Sequence, residues 1–76
     1  MMRLAELPVG QSARVCSIAG VDELSIRLME MGLTPGVEIR AVGKAPLGDP
    51  LEFELRGYRL SVRRQEAGRV EIEPLT

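Results

Sequence analysis

Few side chains in this chain could carry out chemistry. Its 76 residues include one cysteine, Cys16, and no histidine, so the commonest metal ligand and the usual general base are both missing. Asp49, Glu52 and Glu54 lie close together in the sequence and could offer carboxylates to a divalent metal. Because Glu52 and Glu54 alternate with apolar residues, we interpret them instead as the solvated face of a strand. The sequence therefore predicts no metal site and no bound cofactor.

Covalent and phosphate chemistry are also unsupported by the sequence. Cys16 is predicted to lie in a strand, where an unpaired cysteine behaves as a small apolar residue. A reactive thiol needs a lowered pKa, and only Arg14 is near it in the sequence. The chain has no nucleophile–base pair and no glycine-rich phosphate loop. We therefore expect a protein that is not an enzyme.

Length and charge narrow the class of protein further. Ten basic and eleven acidic residues give a net charge of −1, whereas nucleic-acid binders usually carry a basic face. We predict no nucleic-acid partner. A chain of this length supports one small core, so residues 1–76 are expected to form a single domain. No stretch approaches the roughly 18 apolar residues of a membrane span, and the first residues lack a secretion signal. These features predict a cytoplasmic protein without direct membrane insertion.

The strongest structural signal is the segment from residue 27 to residue 39, RLMEMGLTPGVEI. Gly32 is placed to end a helix, with Leu33 packing back on the last helical turn. Pro35 and Gly36 suit the two central positions of a tight turn, after which a strand begins. We assign Arg27, Gly32, Pro35 and Gly36 a structural role in this helix–turn–strand unit. Arg27 can pair with either of two acids at helical spacing along the same helix.

The helix itself is predicted to begin after Asp22, a good N-terminal cap. Leu24, Leu28 and Met31 then form one apolar stripe at helical spacing. Ile26 and Met29 lie outside this stripe, about 100–160° from its centre at 100° per residue. They are therefore candidates for exposure to solvent.

Alternating apolar residues predict five short strands around this helix. The segments are residues 12–19, with a bend or bulge between Val15 and Ile18, then 37–42, 51–56, 59–63 and 69–73. A two-residue loop at Gly57 and Tyr58, of type II′, would pair Leu55 with Leu60 and Phe53 with Val62. Five strands and one helix predict a mainly β fold, a small barrel that is closed or nearly closed.

Taken in order along the chain, these segments resemble the FeoA family, the small companions of the bacterial ferrous-iron transporter FeoB. The resemblance rests on Leu4-x-x-Leu7-x-x-Gly10, Arg27-Leu28, Met31-Gly32-Leu33-Thr34-Pro35-Gly36, Pro46-x-Gly48-Asp49-Pro50, Leu60-Ser61-Val62-Arg63, Glu66-Ala67 and Val70-x-Ile72. It implies an SH3-like barrel of about five strands with one short inserted α-helix. It also implies a non-enzymatic accessory role in Fe²⁺ uptake, through contact with the cytosolic, GTP-binding portion of a FeoB-like transporter. The same domain type occurs in iron- and manganese-dependent repressors, so metal-dependent transcription control through protein contacts is an alternative.

Two regions are candidate partner-binding surfaces. Ile26, Met29 and the neighbouring Leu33 could form an apolar docking patch for a partner or a second copy of the chain. The alternative is that the loop of residues 46–50 folds over them. That loop is itself a candidate, through Leu47 and Asp49, because loops on rigid barrels often carry recognition. Its own alternative is a stiff connector. Only Phe53 and Tyr58 are aromatic, so we expect no proline-rich peptide groove of the SH3 type.

Overall fold

Alternating apolar residues organise the chain into one antiparallel sheet. The computed structural model describes residues 2–75 and shows six strands in this part of the chain. The strands are β1 (Met2–Arg3), β2 (Ser12–Ile18), β3 (Glu38–Lys44), β4 (Leu51–Leu55), β5 (Tyr58–Val62) and β6 (Val70–Leu75). They are hydrogen-bonded in the order β1-β6-β2-β3-β4-β5. The predicted mainly β fold is confirmed, with the two-residue β1 as an additional strand.

Two helices lie outside the sheet in the described residues. The predicted helix is α1 (Glu23–Glu30), and a second helix of one turn, α2 (Arg64–Ala67), lies between the predicted strands of residues 59–63 and 69–73. Short 3₁₀ turns occupy Leu4–Glu6 and Pro46–Gly48. Neither helix in residues 2–75 has the length and apolar character needed to span a bilayer.

The inward-facing side chains of the strands meet the helices in one apolar core. Its largest side chain, Phe53, is buried on β4, and Leu28 seals the core from α1. Leu4 and Leu7 close it from the segment before β2. Because this single cluster holds the buried apolar side chains of the described chain, the sheet and α1 act as one rigid support for surface residues.

The irregular apolar spacing in β2 is explained by a β-bulge. In the pairing of β2 with β6, Val15 is opposite Ile72 and Ser17 is opposite Glu71. Between these pairs β2 therefore contains one residue more than β6. The extra residue is Cys16, which is half-buried. The predicted bulge is confirmed.

The start of α1 is held by Asp22, as predicted. Its carboxylate accepts a hydrogen bond from the backbone N–H of Ser25 at 3.2 Å. The Arg69 guanidinium, which comes from the far end of the chain, donates to both carboxylate oxygens at 2.7 and 2.8 Å. These two donors, Arg69 first and Ser25 second, hold the pKa of Asp22 below its ordinary value.

The lowered pKa of Asp22 predicts a defined pH dependence of stability. Since the carboxylate is favoured in the folded state, its contribution is complete above the unfolded pKa and is lost as pH falls through the lower, folded pKa. Asn also caps helices but cannot form this ion pair. We therefore expect Asp22→Asn to lower the melting temperature at neutral pH, with the difference from the unmodified chain shrinking below about pH 4. Circular dichroism melts across this range would check it, and a pH-independent difference would contradict it.

The end of α1 forms the predicted glycine-capped turn. Gly32 has φ of 108°, its N–H bonds to the Met29 carbonyl at 3.0 Å, and the Leu33 N–H bonds to the Leu28 carbonyl at 3.1 Å. This pair of bonds is the Schellman arrangement. A turn follows, with the Val37 N–H bonded to the Thr34 carbonyl at 3.2 Å and positive φ at Gly36. The structural role predicted for Gly32, Pro35 and Gly36 agrees with this geometry.

The predicted register of the β4–β5 hairpin is wrong by two residues, which is one full repeat of the strand. Leu55 is opposite Tyr58 and Phe53 is opposite Leu60, so the two-residue loop is Arg56 and Gly57. Both loop residues have positive φ, 49° and 83°, which makes the turn type I′ rather than the predicted type II′. The observed and predicted registers place the same residues on the same face, because facing repeats every two residues. The requirement that apolar residues share one face therefore could not distinguish the two registers.

Candidate partner-binding surface

The outer face of α1 presents two large apolar side chains to solvent. Ile26 is 52% exposed and Met29 is 41% exposed, whereas Leu28 on the opposite face is buried. Their exposure argues against the alternative that the loop of residues 46–50 folds over them. We call Ile26 and Met29 the α1 outer face. Its exposure agrees with the prediction from the helical wheel.

Leu33 does not belong to this surface, contrary to the sequence-based hypothesis. Its side chain is 0% exposed and lies in the core cluster. The reason is the helix cap itself: the residue after Gly32 turns back onto the last helical turn, and this turn packs against the sheet. The prediction that Leu33 contacts a partner is therefore replaced by a core role.

The loop of residues 46–50 combines an exposed tip with an anchored base. Leu47 is fully exposed and has φ of 73°, an uncommon backbone conformation for a residue other than glycine. Asp49 is tied down, because its carboxylate accepts a hydrogen bond from the Arg64 backbone N–H at 3.0 Å. The Arg64 guanidinium returns a bond to the Gly48 carbonyl at 3.1 Å. Leu47 remains a candidate contact, while Asp49 has at least a structural role that the sequence did not predict.

The short helix α2 connects the two candidate regions. Arg27 of α1 lies 3.8 Å from Glu66 of α2, instead of pairing with an acid of its own helix as the sequence suggested. The loop is bonded to Arg64 at the beginning of α2. The α1 helix and the loop therefore both contact α2.

Sequence reasoning missed one further exposed apolar side chain beside α1. Val21 precedes the capping Asp22 and is almost completely exposed. An apolar residue at this position commonly packs on the residue five places later, here Ile26. The sequence contains this pair of apolar residues, but the exposure of Val21 shows that its side chain does not pack on Ile26. Val21 therefore extends the accessible apolar area next to the helix.

Chemical sites are not evident at this surface. Among residues 2–75 there is no group of three or more cysteine or acidic side chains arranged to hold a metal ion. The acids of the β4–β5 hairpin instead face arginines: Glu54 is directly opposite Arg59, and Arg59 lies 3.9 Å from Glu52. What the surface offers is apolar area and arginine on a rigid support, which suits recognition of another macromolecule.

In residues 2–75, six antiparallel strands and two short helices, with α1 inserted between β2 and β3, have the architecture of a small SH3-like domain. Residues 2–74 match the FeoA domain model, and the chain belongs to the FeoA domain family. The resemblance inferred from the sequence motifs is thereby confirmed.

Solved structures of relatives agree with this assignment. FeoA from Chlorobium tepidum is 39% identical with a TM-score of 0.89, covering 99% of this chain and 71% of that one. FeoA from Stenotrophomonas maltophilia, a prokaryotic SH3 domain protein crystallised with zinc, is 38% identical with a TM-score of 0.83. That match covers 96% of this chain and 91% of the relative.

A longer relative connects the family with ferrous iron transport. A Porphyromonas gingivalis fusion of Fe²⁺ transport protein A with the Fe²⁺ transporter FeoB is 38% identical over 72 residues. The match covers 95% of this chain but only 8% of the fusion protein. A manganese-dependent transcriptional repressor is also similar, with a TM-score of 0.85, but at 12% identity this shows the shared fold alone.

Proposed function

We propose that this protein is a non-enzymatic, cytoplasmic accessory of ferrous iron uptake that binds the cytosolic side of a FeoB-type transporter. The observation that carries the proposal is the fusion protein, in which a domain 38% identical to this chain is joined to a FeoB transporter in one polypeptide. Joining two domains covalently keeps them at high effective concentration, as is useful when they work in contact. Whether joined or not, the domain must make this contact through its own surface.

The exposed apolar side chains supply a physical means for that contact. Ile26 and Met29 lie on a helix whose opposite side is fixed in the core, so little backbone ordering is needed on binding. Methionine adapts its shape to a partner at low cost. Leu47, at the tip of a loop anchored to α2, offers a second apolar contact. The GTP-binding portion of the transporter is the proposed partner.

A charge introduced on the α1 outer face should disrupt this contact. We expect the double substitution Ile26→Asp and Met29→Asp to raise the dissociation constant for the cytosolic GTP-binding portion of the transporter by at least about tenfold. Isothermal titration calorimetry, with GTP and without it, would measure the change. NMR titration of the unmodified protein would show whether shifts concentrate on α1 and the loop.

Val9→Asp is the matched control, because Val9 is 55% exposed but lies before β2, away from α1 in the sequence. An equal loss of affinity in both variants would contradict docking through α1. Sedimentation velocity of the unmodified chain adds one discriminating result. Self-association that the double substitution abolishes would identify a second copy of the chain as the occupant of this face, instead of the transporter.

A further inference from the structure

A recess beside α2 brings together residues from four separate segments. It has a volume of about 400 Å³ and is lined by Arg27, Met31, Pro50, Ser61, Arg63 and Glu66. None of its four polar side chains is part of the core. None of the six residues belongs to the α1 outer face, so the recess is a separate surface feature.

The charges in the recess favour an anion. Two guanidinium groups, Arg27 and Arg63, face one carboxylate, Glu66, giving a local charge of +1 in a chain whose net charge is −1. The Arg27–Glu66 separation of 3.8 Å is longer than the roughly 2.7–2.9 Å of a charge-assisted hydrogen bond. Arg27 therefore keeps donors available.

The Arg63 guanidinium has even more donors available than that of Arg27. Within residues 2–75 its guanidinium takes part in none of the ion pairs, which involve Arg27, Arg59 and Arg69. The hydroxyl of the exposed Ser61 adds a third donor at the same recess. An arginine fork matches the two oxygens of a carboxylate, so a single acidic group could be bound from two sides.

We propose that this recess binds one carboxylate from an acidic segment of the partner protein. The inference rests on the proposed function and specifies the chemistry that the partner must present. Arg27 directly follows Ile26 of the α1 outer face, and Pro50 ends the loop that carries Leu47. The recess therefore lies between the elements that carry the two apolar contacts. A partner segment with an acidic residue between apolar ones fits this order.

A carboxylate fits the recess better than a phosphate. A phosphate group carries more negative charge, which Glu66 opposes and the local charge of +1 does not balance. The backbone N–H of Arg64 could have added a donor, but the Asp49 carboxylate already occupies it at 3.0 Å. The chain thus already binds one carboxylate, that of Asp49, beside the recess.

Opposite charge changes should move the affinity in opposite directions. We expect Arg63→Glu to weaken binding of the transporter's cytosolic GTP-binding portion by about tenfold or more, and Arg27→Gln to weaken it less. Glu66→Gln removes the competing carboxylate at nearly constant size, so it should strengthen binding by about two- to fivefold. A purely structural role of these residues would not produce an increase. Arg56→Glu, at the hairpin turn and outside the recess, is the control for net charge.

The outcomes separate this inference from the proposed function. If the unmodified protein does not bind the transporter portion, the proposed function is wrong. If it binds and the Arg63→Glu and Glu66→Gln variants bind equally well, the recess assignment is wrong and the docking proposal stands.

A capped tetraglutamate peptide tests the recess without the transporter. NMR titration should shift the amide signals of Arg27, Ser61 and Arg63, and Arg63→Glu should abolish these shifts. The absence of such shifts in the unmodified protein would overturn the proposal. Inorganic phosphate shifting the same signals at a tenfold lower concentration would overturn the choice of a carboxylate.

Discussion

Replacing Gly32 with alanine is expected to destabilise this protein strongly, although the substitution adds only one methyl group. Two costs combine at this position. The φ of 108° is strained for alanine, at a cost of about 1–2 kcal/mol. A Cβ there would also overlap the hydroxyl oxygen of Tyr58 and approach Leu55 Cδ1 at 3.3 Å, and such overpacking costs roughly 1–3 kcal/mol. Chemical denaturation should show a total loss of roughly 2–5 kcal/mol.

Gly36 provides the matched control for the backbone part of this cost. Its φ of 92° is also positive, but no heavy atom lies within 4 Å of the position that a Cβ would take. Gly36→Ala should therefore cost only the backbone strain of about 1–2 kcal/mol. Equal losses at the two glycines would contradict the argument that Tyr58 restricts Gly32.

Tyr58→Phe tests the same contact from the other side. The Tyr58 hydroxyl donates a hydrogen bond to the Met31 carbonyl at 2.5 Å, so its removal alone should cost about 1 kcal/mol. In that background the overlap with a Cβ at residue 32 is gone, and Gly32→Ala should cost less than in the unmodified chain. A double-mutant cycle measures this coupling. Additive effects would show that the tyrosine and the glycine act independently.

Replacing Leu33 with alanine should cost stability without removing a partner contact. Leu33 is fully buried, and substitutions of buried leucine by alanine cost about 2–5 kcal/mol. Ile26→Ala is the surface control and should change stability by no more than about 0.5 kcal/mol. Thermal and denaturant unfolding of the two variants would measure both values.

Binding measurements complete the distinction between these two positions. At a temperature where Leu33→Ala remains folded, its affinity for the transporter's cytosolic portion should equal that of the unmodified chain. Ile26→Ala should weaken the affinity while leaving the unfolding curve in place. The reverse pattern would return Leu33 to the surface and contradict its core assignment.

The local features around α1 were predictable because neighbouring residues produce them. Asp22 caps a backbone N–H three residues away, and Gly32 lets Leu33 bond to a carbonyl five residues earlier. The sequence argument placed Leu33 both against the last helical turn and in a surface patch. These two expectations were in conflict, and the buried position of that turn in the fold decided between them.

The hairpin register illustrates a different limit of sequence reasoning. Alternation determined which face of β4 and β5 is buried, but two registers satisfy it equally. The observed one places Arg56 at positive φ and moves Tyr58 into β5, where its hydroxyl reaches Met31 at the end of α1. This bond joins residues 27 positions apart. Contacts at such separation leave no periodic signal in the sequence.

By itself, the sequence determined the mainly β fold, helix α1 and the five longer strands, because hydrophobic period, capping and turn chemistry act over a few residues. The ordered motifs along the chain separately indicated the family through their resemblance to it. Only the tertiary structure decided how distant segments meet. It placed the Asp49 carboxylate at the start of α2, gave Arg27 its partner in Glu66, and gathered Arg27, Ser61 and Arg63 around one recess. The physical reason is that such contacts depend on the packing of the whole core. A surface site built from several segments therefore becomes visible only after the chain has folded.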